Sequence, residues 1–290
     1  MTNKMTVSLP KNASNFLKYM EEIESASPHT IKSYKKDLEQ LFYWTQENSV
    51  DSLNEDNLLK TARKALTNWG DLSPASRNRK SSVIKSYFQY LFREKLITRP
   101  LADLIYTTKV PKKIPNFISV DESISCLKVA TGMEKILFLL LYGAGLRVSE
   151  ACRLKWKDVQ TQEKIIRILG KGNKERIVAI TKNLSIELKK LNAHETFVFG
   201  EKPLNERTAY QMIHNLGIRA NLMKPLHPHA LRHSFATHLL SNGANLRVLQ
   251  ELLGHSSLQA TEKYTHLNLD QLARTMEKHH PLAKKTDKDL

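Results

Sequence analysis

Between Leu226 and His266 the chain reads LHPHALRHSFATHLLSNGANLRVLQELLGHSSLQATEKYTH, its densest gathering of chemically able side chains. His227, His229, Arg232 and His233 crowd the start of an expected helix delimited by Pro225 and Pro228, since proline fixes φ and suits a first turn. Residues three apart share a helix face, so His229 and Arg232 are placed to act together. An imidazole moves protons near neutral pH, and a guanidinium makes two-pronged bonds to phosphate oxygens. Phe235, Leu239 and Leu240 carry the helix to Asn242-Gly243, and a second helix runs through Leu246, Val248, Leu249, Leu252 and Leu253 to Gly254. His255 follows at once, and Tyr264 comes soon after. A phenol of ordinary pKa, about 10, becomes a nucleophile only when its neighbours activate it. The stretch therefore reads as a phosphate-binding site with a tyrosine close by in sequence. His229 and His233 also have metal-ligand spacing, but no glutamate lies between them and no cysteine or carboxylate completes a set, so no metal is expected. His238 is read as a packing residue.

Two upstream segments offer further cations. In GAGLRVSE, two glycines end one helix, and Arg147 stands at the start of the next. It can meet an anion there or pair with Glu150 three residues on, and the two roles are compatible. The β-branched runs Lys164–Leu169 and Arg176–Ile180 predict two strands, joined as a hairpin by GKGNKE. Lys171, between two glycines at the tip, is either an ordinary turn lysine or one that enters a site. Helical patterns cover residues 184–192 and 205–223.

The first hundred residues predict four helices, or five with a short one after Pro100. Ser27-Pro28 and Ser73-Pro74 both have the form of an N-cap followed by a first-turn proline. Lys32, Lys35, Arg77, Arg79 and Lys80 cluster near the starts of those two helices and are candidates for meeting a DNA backbone; solvated helix faces are the alternative. Residues 106–118, YTTKVPKKIPNFI, read as an extended basic linker.

The chain has 290 residues, 41% hydrophobic and 26% charged, as in an ordinary globular protein of about two domains. Its formal net charge is +16, with +7 in residues 1–115 and +9 in residues 116–290. Both halves are thus basic, and double-stranded DNA or another nucleic acid is the default partner. The longest apolar stretch, Ile136 to Ala144, is too short to span a membrane, and the N-terminus has no signal-peptide pattern. A cytoplasmic protein with no membrane partner is expected. Cys126 and Cys152 form no CxxC unit and read as buried thiols.

Taken in order, Arg147 in GLRVSE, Lys171 in GKGNKER, His229 and Arg232 in HPHALRHSFATHLL, and His255 and Tyr264 in LLGHSSLQATEKYTH resemble the tyrosine recombinase (phage integrase) family over nearly the whole chain. Within it the chain is most similar to the Xer type. The resemblance implies a mainly α fold with a small antiparallel β-sheet (α+β). A helical N-terminal core-binding domain would cover residues 1–105 and a linker 106–118. The tyrosine recombinase catalytic domain would cover 119–290, with a subunit-docking tail at 267–290. A tail helix folded back on its own domain is the alternative.

The implied activity is site-specific recombination through a 3′-phosphotyrosyl intermediate. Tyr264 would be the nucleophile, Arg147, Arg232 and His255 would hold phosphate oxygens, Lys171 would protonate the leaving oxygen, and His229 would act as general acid/base. The resemblance further implies no cofactor and no metal. It implies a homo- or hetero-tetramer on two DNA sites, paired with itself or with a sister recombinase, and a septal DNA translocase as activator. Resolution of chromosome or plasmid dimers is the implied role. An integrase or transposase of a mobile element, a topoisomerase, a non-cleaving DNA-binding relative and a metal-dependent nuclease are the competing readings.

Overall fold

A computed structural model of the chain describes residues 9–43, 54–107, 117–169, 175–191, 195–253 and 266–283. The chain divides into two units, Met1–Lys113 and Ile114–Leu290.

The first unit is helical: α1 (Lys11–Glu22), α2 (Pro28–Tyr43), α3 (Glu55–Asn68) and α4 (Pro74–Arg93), then a 3-10 turn at Leu101–Leu104. The starts follow local chemistry. Asn54 Oδ1 accepts from Asp56 N and Asn57 N at 3.0 and 3.2 Å, and Ser73 Oγ accepts from Ser76 N at 3.3 Å with Pro74 in the first turn. Phe16, Leu38, Leu41, Ile84, Tyr87, Phe88 and Leu91 come together from three helices, and Leu101 and Ile105 close the core from beyond α4. Among the described residues, the interior also holds one carboxylate, Asp37 at 2% exposure, which accepts from both Arg79 and Lys80.

That pairing corrects one expectation. Lys80 is buried: its Nζ lies 2.8 Å from Asp37 Oδ1 and 4.6 Å from the centroid of the Trp69 ring. An ammonium leaves water only for such partners, so Lys80 serves the core and does not face a DNA backbone. Arg79 is half exposed, with its guanidinium shared between Asp37 and Ser33. Lys32 and Lys35 are exposed, and Arg77 is partly so.

The second unit starts at α5 (Val120–Val129) with a capping box: Glu122 N donates to Ser119 Oγ at 3.1 Å, and Ser119 N donates to Glu122 Oε2 at 2.7 Å. The longest apolar stretch begins within α6 (Gly132–Phe138), which continues as a π turn over Leu139–Gly143. Every residue from Ile136 to Leu146 except Gly143 and Gly145 is a core hydrophobic. After α7 (Val148–Cys152) comes an antiparallel sheet of β1 (Val159–Gln160), β2 (Ile165–Leu169) and β3 (Glu175–Ala179) in that order. The two-residue β1, paired Val159 to Ile166, is too short to leave an alternating pattern and was not predicted. The β2–β3 register pairs Ile166 with Val178 and Ile168 with Arg176.

Then follow α8 (Lys182–Lys189), α9 (Glu206–Arg219), α10 (Pro228–Ser241), α11 (Leu246–Leu253) and α12 (His266–His279). Both cysteines are buried and free, and burial pushes the Cys126 thiol up to about 12. Among the described residues, no helix is long and apolar enough to cross a membrane.

The tail takes the folded-back alternative in this single chain. Leu272, Met276 and Leu282 are at most 2% exposed within the core of their own unit. Asn242 Nδ2 donates to the His279 carbonyl at 2.7 Å, and Asn183 Nδ2 donates to the Leu282 carbonyl at 3.2 Å. The apolar stripe that suits a neighbouring subunit is satisfied here by the chain's own interior.

Candidate active site

The site is assembled around Glu150. Arg147 is the N-cap of α7, with extended backbone (φ −71°, ψ 150°), and Glu150 is three residues inside the helix. Arg147 N donates to Glu150 Oε2 at 2.8 Å, and Arg147 Nη1 donates to Oε1 at 2.8 Å. The Arg147–Glu150 ion pair is thus present, and it leaves the Arg147 side chain 41% exposed. Arg176, from β3, closes on the same carboxylate with Nη1 2.8 Å from Oε1 and Nη2 2.7 Å from Oε2. Arg232, from α10, brings its Nη1 to 3.9 Å from Oε2.

Arg232 is itself held at both prongs. Nη1 donates to the Gly145 carbonyl, and Nη2 donates to the Leu253 carbonyl at 2.7 Å. The second bond satisfies a carbonyl at the C-terminus of α11, where a cation is favoured. The first depends on a tight turn at Gly145, whose φ is +65°. A Cβ there would lie 2.5 Å from Phe235 Cε1, so glycine is required both by conformation and by space.

One carboxylate among three guanidiniums leaves a net positive site. Burial opposes ionisation of Glu150, yet the bonds from Arg176 and Arg147 outweigh it and hold the carboxyl down to about 2. Burial, then repulsion from Arg147, brings Arg232 down to about 10, against the help of Glu150. Arg232 therefore stays charged at neutral pH while being 12% exposed. An anion entering here gains from two partly desolvated cations already fixed in orientation.

His229 stands exposed in the first turn of α10, three residues before Arg232, with its ring 6.5 Å from that of Tyr210 on α9. His227 caps the helix through Nδ1, which accepts from Ala230 N at 3.0 Å. Partial burial lowers its pKa, with help from His229, which suits the neutral ring the bond requires. His233 is exposed near Phe117. His238 packs, as expected, with Nδ1 2.8 Å from the Tyr142 hydroxyl. Among the described residues, no group of three or more metal-ligating side chains occurs.

Arg147 and Arg232 are thus brought to one carboxylate, with His229 on the same helix as Arg232. Lys171, His255 and Tyr264 lie outside the described residues. Sequence reasoning missed Arg176 as a member of the site. Its signal was a charged residue at a buried position of a β-branched run, within the GKGNKER motif itself.

Comparisons with known proteins agree on one family. Residues 111–271 match the phage integrase family, and residues 13–95 match the phage integrase N-terminal SAM-like domain. The chain is 32% identical over 284 residues to the tyrosine recombinase XerC of Xanthomonas campestris pv. campestris, covering 93% of this chain and 88% of that protein. It is 34% identical over 289 residues to the tyrosine recombinase XerD of Staphylococcus aureus, covering 92% and 98%. The fold is shared with a lambda integrase tetramer solved on a Holliday junction, at TM-score 0.67 and 16% identity over 88% of this chain and 79% of that one. On these matches over both units, the chain belongs to the phage integrase family of tyrosine recombinases.

Proposed function

We propose that this protein is a site-specific DNA recombinase that cuts and rejoins duplex DNA through Tyr264. The observation that carries the reading is the convergence of Arg147 and Arg232 on Glu150, two fixed cations of a kind that clamps a phosphodiester. The Tyr264 oxygen attacks the scissile phosphorus as the bond to the 5′-oxygen breaks. His229 takes the phenolic proton and Lys171 supplies one to the leaving oxygen, giving a 3′-phosphotyrosyl bond and a free 5′-hydroxyl. Arg147, Arg232 and His255 hold the non-bridging oxygens while charge accumulates on them. A 5′-hydroxyl from a partner strand then attacks the phosphotyrosine. One ester is exchanged for another of similar energy, so no nucleotide cofactor is required.

Two such exchanges through a Holliday junction recombine two sites, which calls for four protomers. The Xer names of the relatives favour resolution of chromosome or plasmid dimers in the cytoplasm, with a sister recombinase and a septal translocase as partners. The integrase neighbour favours a mobile-element role with the same chemistry. Residues 1–105 act as the core-binding domain, with Lys32, Lys35, Arg77 and Arg79 toward the DNA backbone. Residues 106–118 link them to the catalytic domain, 119–290.

The test is covalent capture. The protein is incubated, in EDTA, with duplexes recovered by binding selection and nicked so that the cleaved fragment is lost. A denaturing gel should show a protein–DNA adduct that is absent in Tyr264→Phe. Well-bound DNA with no adduct, even with a sister recombinase added, would leave a binding protein instead.

A further inference from the structure

Arg176 has a side chain 7% exposed and spends both terminal nitrogens on Glu150, so it is not placed to touch a DNA phosphate. Its Nε is buried and has no hydrogen-bond partner among the described residues. The chemistry of Glu150 explains why such a residue belongs here. A carboxylate has about four acceptor sites, and a two-pronged arginine occupies the facing pair in the best geometry available. With those filled, Arg147 meets Glu150 through one nitrogen of its fork, and Arg232 stands off at 3.9 Å. Without Arg176, the freed lone pairs would turn to the nearest remaining cations. Each bond gained would consume an N–H that a phosphate needs.

We propose that Arg176 is a positioning residue: by saturating Glu150, it makes that carboxylate a fixed support for Arg147 and Arg232 and keeps it from competing with the DNA phosphate for them. This rests on the recombinase reading above. The register adds a second consequence. Arg176 pairs with Ile168 where β2 and β3 meet the segment containing Lys171, so the same ion pair ties the base of that hairpin to the arginines. Arg176 holds Glu150 ionised through a two-pronged contact, ahead of the bonds from Arg147.

The experiment compares wild type, R176K, R176Q and the double variant E150Q/R176Q. It follows single-turnover adduct formation on the nicked duplexes from pH 5 to pH 8, together with DNA affinity and thermal stability. R176Q should form adduct on the order of 100-fold more slowly at neutral pH, as expected for misplaced catalytic groups, with DNA affinity unchanged. Its deficit should shrink at acid pH, because Glu150, less acidic without Arg176, becomes neutral and ceases to compete. E150Q/R176Q should recover much of the loss, since the unpaired carboxylate is gone. R176K, which keeps the charge but not the fork, should fall between wild type and R176Q.

A purely structural role predicts a different pattern: rate follows thermal stability, the double variant is no better than R176Q, and no acid recovery appears. That pattern overturns the proposal, as does R176Q at the wild-type rate. If R176Q does not fold, R176K with wild-type rates across the pH range overturns it too. Wild type without adduct sinks the recombinase reading and this inference with it, whereas active wild type beside unimpaired variants removes this inference alone.

Discussion

His280 reaches past the end of α12 into the core, where its Nε2 donates to the Tyr142 carbonyl oxygen at 3.0 Å. Its Nδ1 accepts from Leu282 N at 3.1 Å. Two such bonds demand a neutral ring, and burial pushes the imidazole down to about 4. The unfolded ring protonates near about 6.5, so below that pH the unfolded state binds more protons. The stabilisation is therefore complete above about 6.5 and is lost as pH falls through about 4, on the order of 3 kcal/mol in all. His238, lowered by burial, shifts stability in the same direction. Protection factors of residues 266–283, with the pH dependence of intrinsic amide exchange divided out, should fall between pH 7 and pH 4, and His280→Gln should remove most of that slope. Protection that stays constant over this range would refute the account.

Gly145→Ala should damage the site from a distance. The added methyl meets the Phe235 ring, and φ of +65° disfavours any L side chain. Loss of about 1–3 kcal/mol is expected in urea unfolding, with displacement of the carbonyl that holds Arg232. Adduct formation should fall more than stability alone accounts for. Trimming Phe235 to Leu should return stability only in part, because the backbone strain remains.

The two arginines should fail differently. Arg147→Ala and Arg232→Ala should each slow adduct formation by about 10²–10³-fold, the loss typical of a removed transition-state donor. Arg232→Lys should recover little, because one ammonium cannot reach the Gly145 and Leu253 carbonyls together. Arg147→Lys should recover more, since Arg147 keeps Glu150 through its backbone N as well. Equal recovery by the two lysine variants would contradict this assignment.

In the first unit, buried and exposed cations should separate by salt. Lys32→Ala and Lys35→Ala should each lower the slope of log affinity against log salt by about 0.9, as expected for one phosphate contact. Lys80→Met should leave that slope alone and destabilise the unit by about 1–3 kcal/mol, because Asp37 at 2% exposure then keeps Arg79 as its one cation. Combining it with Asp37→Leu should recover stability. A salt slope that responds to Lys80 would place its amine elsewhere.

The legible parts of this chain were local. Ser73 with Pro74, Ser119 with Glu122, and the hairpin runs on either side of GKGNKE announce their conformations within a few residues. Arg147 and Arg232 could be singled out because glycines, prolines and histidines of unusual density surround them. What stayed hidden depends on partners far along the chain. Asp37 looks like any helical carboxylate until Lys80 arrives from α4, and Arg176 looks like a strand-edge charge until α7 presents Glu150. The folded-back tail was hidden for a different reason: an amphipathic stripe states that it will be covered, not by which surface.

The bond from Arg232 to the Leu253 carbonyl has a further consequence for the catalytic unit. One guanidinium is seated on the Gly145 turn through one nitrogen and on the C-terminus of α11 through the other. Two parts of the chain about a hundred residues apart are thereby read out by a single side chain. A shift of either one takes an acceptor from Arg232, so the phosphate clamp doubles as a gauge of whether both are in place.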